Sequence, residues 1–261
     1  MQVLKYSGVN SEKLMINFYI ISRNRIIFRI FQLLIKLIPK NSIVYIIQGR
    51  LKGKKWIIGS GQHMLWLGSY EYRKQILFSK TIRESAVVYD IGAHVGFYTL
   101  LASVLVGSKG RVFAFEPSPR NACYLKKHLR LNYCNNVTVI EAAVTDKDDT
   151  VSFEEGFTSY DDHLSTEGSL EIKTFSLDSL VSKGRIPPPD YIKIDIEGVE
   201  WLALSGAKEI LVKYSPTIFL STHGFDWHNQ CCAFLKSIGY DLQTIEESEL
   251  LAFNKSKRCA E

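Results

Sequence analysis

Cysteine is scarce and irregular in this chain. Its five cysteines, Cys123, Cys134, Cys231, Cys232 and Cys259, are odd in number and form no Cys-x-x-Cys pair. That spacing argues against a zinc ribbon or a disulfide scaffold and points to a reducing, cytoplasmic setting. Long repeats and low-complexity tracts are missing as well. Apolar residues make up 46% and charged residues 23%, near a soluble globular average, which excludes a disordered tail, a collagen-like chain and a multi-span membrane protein. No secretory leader is read. The apolar run Leu14–Ile21 is followed by Ser22-Arg23-Asn24-Arg25 instead of a small-residue cleavage site, and it is too short to span a bilayer. The 18 residues Ile91–Ser108 carry no acidic or basic charge, but two glycines and a histidine open the stretch. A strand, a glycine turn and a buried helix account for it better than a membrane span.

Acidic residues are rare at the front. Residues 1–85 hold 15 Lys/Arg against 3 Asp/Glu, while residues 86–261 hold 17 against 24. A basic third joined to an acidic remainder suggests two segments with different surroundings, in a chain of 261 residues that fits one large domain with an appendage; the bounds of the two, 1–69 and 70–261, are set by the motifs and not by the charge. Within the basic part, Arg25–Ile38 reads as an amphipathic helix. Arg25, Arg29, Gln32 and Lys36 align on one stripe, and Ile26, Ile27, Ile30, Phe31, Leu34, Leu37 and Ile38 fill the other face. Two readings stay open: a helix packed on the domain, or an interfacial helix giving residues 14–38 a peripheral membrane contact. Short strands are expected at Ile43–Ile47 and Trp56–Ile58. A helix is expected over Tyr70–Arg83 with Tyr72, Ile76 and Leu77 facing inward.

From residue 86 onward strands and helices alternate. Ala86–Tyr89, Arg111–Phe115, Val137–Glu141, Tyr191–Asp195 and Thr217–Ser221 read as strands. Phe97–Val106, Asn121–Leu131, Val199–Val212 and Asn229–Ile238 read as helices, and Tyr240–Ile245 with Glu249–Phe253 as a closing hairpin. Val151–Phe153 and Ile172–Phe175 are candidate extra strands around a polar loop, Ser159–Gly168. This alternation predicts an α/β fold with a parallel sheet covered on both faces.

Three motifs sit at strand tips. Asp90-Ile91-Gly92-Ala93-His94-Val95-Gly96 places two glycines where a backbone can approach a ligand closely, ahead of a helix N-terminus. The spacing differs from the Gly-x-Gly-x-x-Gly of dinucleotide enzymes, and a carboxylate at the tip favours a cationic ligand group over a diphosphate. Glu116, 26 residues after Asp90, ends the next strand in Phe113-Ala114-Phe115-Glu116-Pro117 and suits the two hydroxyls of a ribose. The third motif is Tyr191-Ile192-Lys193-Ile194-Asp195-Ile196-Glu197-Gly198-Val199-Glu200. Strand alternation points Lys193 and Asp195 the same way.

Together these motifs resemble the FkbM-type methyltransferases, a class I family dependent on S-adenosylmethionine. The resemblance covers about residues 70–253, beginning near Tyr70-Glu71. It implies a Rossmann-like sheet of seven strands in the order 3-2-1-4-5-7-6, the last antiparallel, preceded here by a helical and short-strand extension. It also implies cofactor contacts from Asp90, Gly92, Ala93, Gly96, Tyr98, Glu116 and Ala143, with Asp90 facing the methionine side or holding the glycine loop, and Asp195 at the methionine ammonium and among the catalytic residues. Glu197 is a candidate for substrate binding or for the base. His223, at the fifth strand tip, is expected to take the acceptor proton because a histidine pKa lies near neutral pH. Many relatives carry an acid near Ser221. No metal is required by the spacing. His63, His128, His163 and His228 receive no role.

The expected activity is O-methylation of a sugar, glycolipid or other hydroxylated small molecule. N-methylation on the same scaffold and a non-catalytic membrane-associated binding protein are the alternatives. A nicotinamide oxidoreductase and a nucleic-acid substrate are disfavoured by the missing motifs.

Overall fold

The computed structural model describes residues 38–154, 163–164 and 170–254. The expected helix Arg25–Ile38 and the membrane contact of residues 14–38 lie outside the described residues, apart from Ile38. So does the loop Ser159–Gly168, apart from the backbone of residues 163 and 164. Among the described residues no helix is long and apolar enough to cross a membrane.

The described chain opens with an antiparallel ribbon, β1 (Ile43–Tyr45) and β2 (Lys55–Ile57), followed by helices α1 (His63–Leu67) and α2 (Tyr72–Thr81). Then come β3 (Val87–Ile91), α3 (Phe97–Val106), β4 (Arg111–Phe115), α4 (Pro119–Leu131) and β5 (Val137–Ile140). The strands β6 (Ala143–Val144), β7 (Asp149–Glu154), β8 (His163–Leu164) and β9 (Leu170–Phe175) form a small side sheet in the order β6-β9-β7-β8. The chain continues through α5 (Leu177–Ser182), β10 (Tyr191–Ile194), α6 (Glu200–Ser205), α7 (Lys208–Tyr214), β11 (Thr217–Ser221), α8 (Phe225–Ser237), β12 (Asp241–Glu246) and β13 (Glu249–Phe253).

The main sheet runs β5-β4-β3-β10-β11-β13-β12, with β13 antiparallel to both neighbours. Counted along the core, that order is 3-2-1-4-5-7-6, as the resemblance implied. It reverses direction between β3 and β10, where adjacent connections leave on opposite faces and open a crevice at the strand carboxyl ends. Central strands are buried on both faces: Val88, Tyr89, Asp90 and Ile91 of β3 are all inaccessible, as are Ile192 and Ile194 of β10. This is why these strands read as continuous apolar runs in the sequence.

The ribbon is joined to the same core. Trp56 is fully buried and stacks on His128 of α4 at 3.8 Å between ring centroids. The Ile57 N–H donates to His128 Nε2 (3.1 Å), so Nδ1–H donates to the Val95 carbonyl (2.7 Å). Asn132 clamps the Lys55 backbone from both sides, accepting from its N–H and donating to its carbonyl. Ile46, Leu51, Trp56 and Leu65 share one hydrophobic cluster with Val88, Leu100 and Val112.

Several boundaries differ from the sequence expectation. The stretch Val199–Val212 is two helices, because the chain turns at Gly206. A Cβ there would meet the Thr145 carbonyl at 2.1 Å, and the Gly206 carbonyl accepts from Asp178 N–H. Helix α8 begins at Phe225, four residues before the expected Asn229. In α2 the buried positions are Lys74, Gln75 and Phe78, whereas Tyr72, Ile76 and Leu77 are half-buried. A lysine takes the most interior position because it meets a cluster of carboxylates there.

Candidate active site

A cavity opens at the carboxyl ends of β3, β4 and β10, at the switch point of the sheet. Gly92, Ala93 and Tyr98 line it from the first motif, Glu116 and Ala143 from the neighbouring strands, and Asp195 with Glu197 from the third motif. The loop after β3 is held by its neighbour: Gly92 and Ala93 both donate their N–H to the Phe115 carbonyl. Gly92 has φ 72°, and a Cβ on it would lie 1.9 Å from the Asp195 carbonyl. The close approach of these two backbones therefore demands glycine.

Glu116 sits at the rim of β4 and is buried. His94, with φ 52° in the left-handed region, turns its N–H toward Glu116 Oε2 at 2.6 Å, and the Ser118 N–H donates to Oε1 at 3.0 Å. Burial pushes the Glu116 carboxyl up to about 7, against the hydrogen bonds that favour its charged form.

Two of the expected residues, Asp90 and Gly96, lie off the cavity surface. Asp90 does not line the cavity but lies beneath it, 1% exposed. Its Oδ2 accepts from Thr99 Oγ1 (2.5 Å), and its Oδ1 pairs with Lys193 Nζ (3.3 Å), which in turn donates to the Gly92 carbonyl (2.7 Å). Buried in the central strand β3, Asp90 anchors the floor of the site through Lys193. Gly96 also stays off the cavity surface. A Cβ there would meet Leu125 Cδ1 at 2.4 Å, so this glycine, with φ 94°, lets α3 start close against α4.

The sequence reading passed over Lys74. This side chain is 1% exposed and reaches from α2 into the end of the sheet. Its Nζ lies 2.6 Å from Ser221 Oγ at the end of β11, 2.9 Å from Glu249 Oε2 at the start of β13, 3.0 Å from Glu71 Oε2 and 3.4 Å from Asp195 Oδ2. Lys193 Nζ reaches the same Asp195 oxygen at 3.7 Å, and both ammonium groups stand over the Tyr98 ring. Burial alone would raise the Asp195 pKa. The Lys74 ammonium first, then Lys193 and His223, outweigh burial and hold the carboxyl well below the usual carboxylate range. Burial would also strip the proton from Lys74, but Asp195, Glu71 and Glu249 keep it charged.

His223 follows β11. Its Nδ1 lies 2.6 Å from Oε1 of Glu200, a fully buried carboxylate in the first turn of α6. Its Nε2 faces Glu197 Oε2 at 3.5 Å and Asp195 Oδ1 at 3.9 Å. The Glu200 hydrogen bond, helped by the fields of Glu197 and Asp195, raises the imidazole to about 9 against the effect of burial. The surroundings thus favour the protonated ring more than the sequence expectation of a near-neutral histidine assumed. Glu200 stands within the third motif but received no role from its sequence position.

The family model described as "Methyltransferase FkbM domain" matches residues 90–242. The chain belongs to the FkbM methyltransferase family. Among curated proteins, it is 32% identical over 137 residues to "Hexuronic acid methyltransferase AglP" of Haloferax volcanii, covering 52% of this chain and 55% of that protein. It is 24% identical over 165 residues to "2-O-methyltransferase NoeI" of Sinorhizobium fredii, covering 56% of this chain and 66% of that one. The match thus takes in only about half to two thirds of the length of these relatives. Among solved structures, the FkbM methyltransferase of Methylobacillus flagellatus shares the fold with a TM-score of 0.50 and 18% identity, over 74% of this chain and 55% of that one.

In this FkbM family member the matched region supplies Gly92, Glu116, Asp195, Glu197, Glu200 and His223. Glu71, Lys74 and Glu249 lie outside the matched residues yet complete the same charge cluster.

Proposed function

We propose that the chain is an S-adenosylmethionine-dependent O-methyltransferase whose acceptor is a sugar hydroxyl, on a glycan, a glycolipid or a free saccharide. The observation that carries this reading is the charge of the crest. Six carboxylates (Glu71, Asp90, Asp195, Glu197, Glu200 and Glu249) gather there against Lys74, Lys193 and His223. A surplus of negative charge around a partly buried cleft favours a cationic ligand, because opposite charges attract strongly where water is excluded. S-adenosylmethionine fits that surplus and supplies a methyl group already activated on a sulfonium.

Within this reading each side chain has a task. Glu116, whose oxygens are aimed by the His94 and Ser118 N–H groups, accepts the ribose hydroxyls. Asp195 stays ionised between two ammonium groups and receives the cofactor's amino group. Gly92 and Ala93 keep the floor flat, and Ala143 stands by the adenine. Glu197, half-exposed at the mouth, meets the acceptor. Glu200 holds Nδ1 of His223 so that Nε2 faces the acceptor hydroxyl and takes its proton. The fields of Glu197 and Asp195 add to the Glu200 hydrogen bond in favouring the protonated ring, so positive charge bound beside those two carboxylates would lower the His223 pKa. The name of one curated relative, a hexuronic acid methyltransferase, supports a sugar acceptor, and that of the other, a 2-O-methyltransferase, supports transfer to oxygen.

Calorimetric titration with S-adenosylmethionine and, separately, NAD tests the cofactor. Saturable binding of the first alone is expected, and preference for NAD would overturn the reading. Incubation with a deuterated methyl donor and hexuronic-acid or neutral hexose acceptors, followed by mass spectrometry, tests the acceptor. A label on nitrogen, or on no saccharide, would sink the sugar assignment.

A further inference from the structure

The ribbon ahead of the core is apolar on both faces. Val44 and Ile46 turn inward, and Ile46 is 1% exposed. Alternation sends Ile43, Tyr45 and Ile47 to the other side, where they are 52%, 60% and 43% exposed. Ile38 is 38% exposed, so residues 38–47 hold four of the eight large apolar side chains exposed among the described residues. An outward row of this kind is what a soluble strand normally fills with polar residues.

The surroundings of the row carry one sign of charge. Residues 38–69 contain Lys40, Arg50, Lys52, Lys54 and Lys55 and no aspartate or glutamate. Lys55 lies directly opposite Tyr45 across the ribbon, and Lys40, Arg50 and Lys52 are exposed. Isoleucines to enter an acyl layer, a tyrosine for the headgroup level and lysines around them match the chemistry of an anionic bilayer surface. The sequence leading into the row continues the theme: Arg25, Arg29 and Lys36 alternate with isoleucine and leucine up to Ile38.

We infer that the outer face of the β1–β2 ribbon, Ile43, Tyr45 and Ile47, together with the exposed lysines and arginine of the same segment, is a peripheral docking surface for anionic membrane. The surface is independent of the methyl-transfer chemistry, but it is not remote from it. The Ile47 N–H donates to the Trp66 carbonyl of α1, and Leu65 beside it lines the cavity. Docking here holds the site near the plane of the lipid.

The test uses the full chain in vesicle co-sedimentation, with phosphatidylcholine alone and with phosphatidylcholine mixed with phosphatidylglycerol. Wild type should sediment only with the anionic vesicles and be released by salt. Ile43→Ser/Ile47→Ser should weaken that binding by about tenfold or more, from the loss of two buried side chains. Arg50→Glu/Lys52→Glu should abolish it, and Val212→Ser, at an exposed apolar site elsewhere, should leave it unchanged. Melting temperature and cofactor affinity should hold in all variants, since each altered side chain is exposed. Three results overturn the inference. Wild type that ignores anionic vesicles removes the lipid. An isoleucine pair variant that binds like wild type assigns binding to residues before the ribbon. A pair variant that changes only the oligomeric state assigns the row to a second copy of the chain.

Discussion

Glu200 Oε1 lies 2.6 Å from His223 Nδ1, and this contact joins the first turn of α6 to the end of β11. It sets the direction of the imidazole and raises its proton affinity together. Because Glu200 is fully buried, the pair is shielded from solvent competition, and the hydrogen bond is worth more than an exposed one.

Glu200→Gln should therefore lower the His223 pKa from about 9 toward the ordinary histidine value. NMR titration of the His223 ring reads this directly. A ring that still titrates near 9 would place control with Glu197 and Asp195. Methyl transfer in the variant should fall by about 10- to 100-fold, as expected when a base loses its orientation.

Lys74→Met removes the ammonium that holds Asp195, Ser221, Glu249 and Glu71 together. Breaking such a buried cluster costs about 3 kcal/mol or more, visible as a lower melting temperature. Asp195 then loses its strongest charge partner and protonates at higher pH, so cofactor binding should weaken on acidification sooner than in wild type. Lys74→Arg should recover part of both. An unchanged pH profile in Lys74→Met would remove Lys74 from the control of Asp195.

Glu116 gives cofactor binding a pH dependence of defined sign. Its carboxyl is pushed up to about 7, and in the proposed role it is the ionised form that accepts the ribose hydroxyls. Affinity should be constant above that value and fall by about tenfold per pH unit below it, as the ionised fraction falls. Glu116→Ala should weaken binding by about 10- to 100-fold and flatten this dependence. Calorimetry across pH 5–8 measures both. Unaltered affinity in the variant would contradict the ribose role.

His128 predicts acid sensitivity of the fold. Burial lowers its pKa to about 4, with Nε2 accepting from Ile57 and Nδ1 donating to Val95. A histidine depressed in the folded state binds fewer protons than in the unfolded one. Its stability contribution is thus complete above about pH 6.5 and is lost as pH falls toward 4, by about 3 kcal/mol in all. Urea melts at pH 7 and pH 5 should show this loss in wild type and less of it in His128→Asn.

Gly96 has φ 94°, and a Cβ there would meet Leu125 Cδ1 at 2.4 Å but the Leu125 Cβ only at 3.6 Å. Gly96→Ala should cost about 1 kcal/mol of backbone strain and about 1–3 kcal/mol more from the clash. In a Leu125→Ala background only the first part should remain. Equal losses in melting temperature in the two backgrounds would refute the helix-packing role of Gly96.

The strand tips were legible because their causes are local. Apolar runs of strand length end in Asp90, Glu116 and Asp195, and glycines at 92 and 96 mark the turn that follows the first of them. Periodicity and turn chemistry act over a few residues, so the alternating α/β order could be read off the chain, and the motifs named the family and with it the 3-2-1-4-5-7-6 sheet. Tertiary structure alone decided the rest. Lys74 meets partners 121, 147 and 175 positions away, and no local pattern distinguishes it from its neighbour Arg73. The role of Gly96 depended on where Leu125 of α4 came to lie. The protonation of His223 depended on where the end of β11 came to lie, within 4 Å of three carboxylates, Asp195, Glu197 and Glu200, that follow β10. Electrostatic fields and close packing follow distance in space, which the order of residues does not contain until the sheet has assembled.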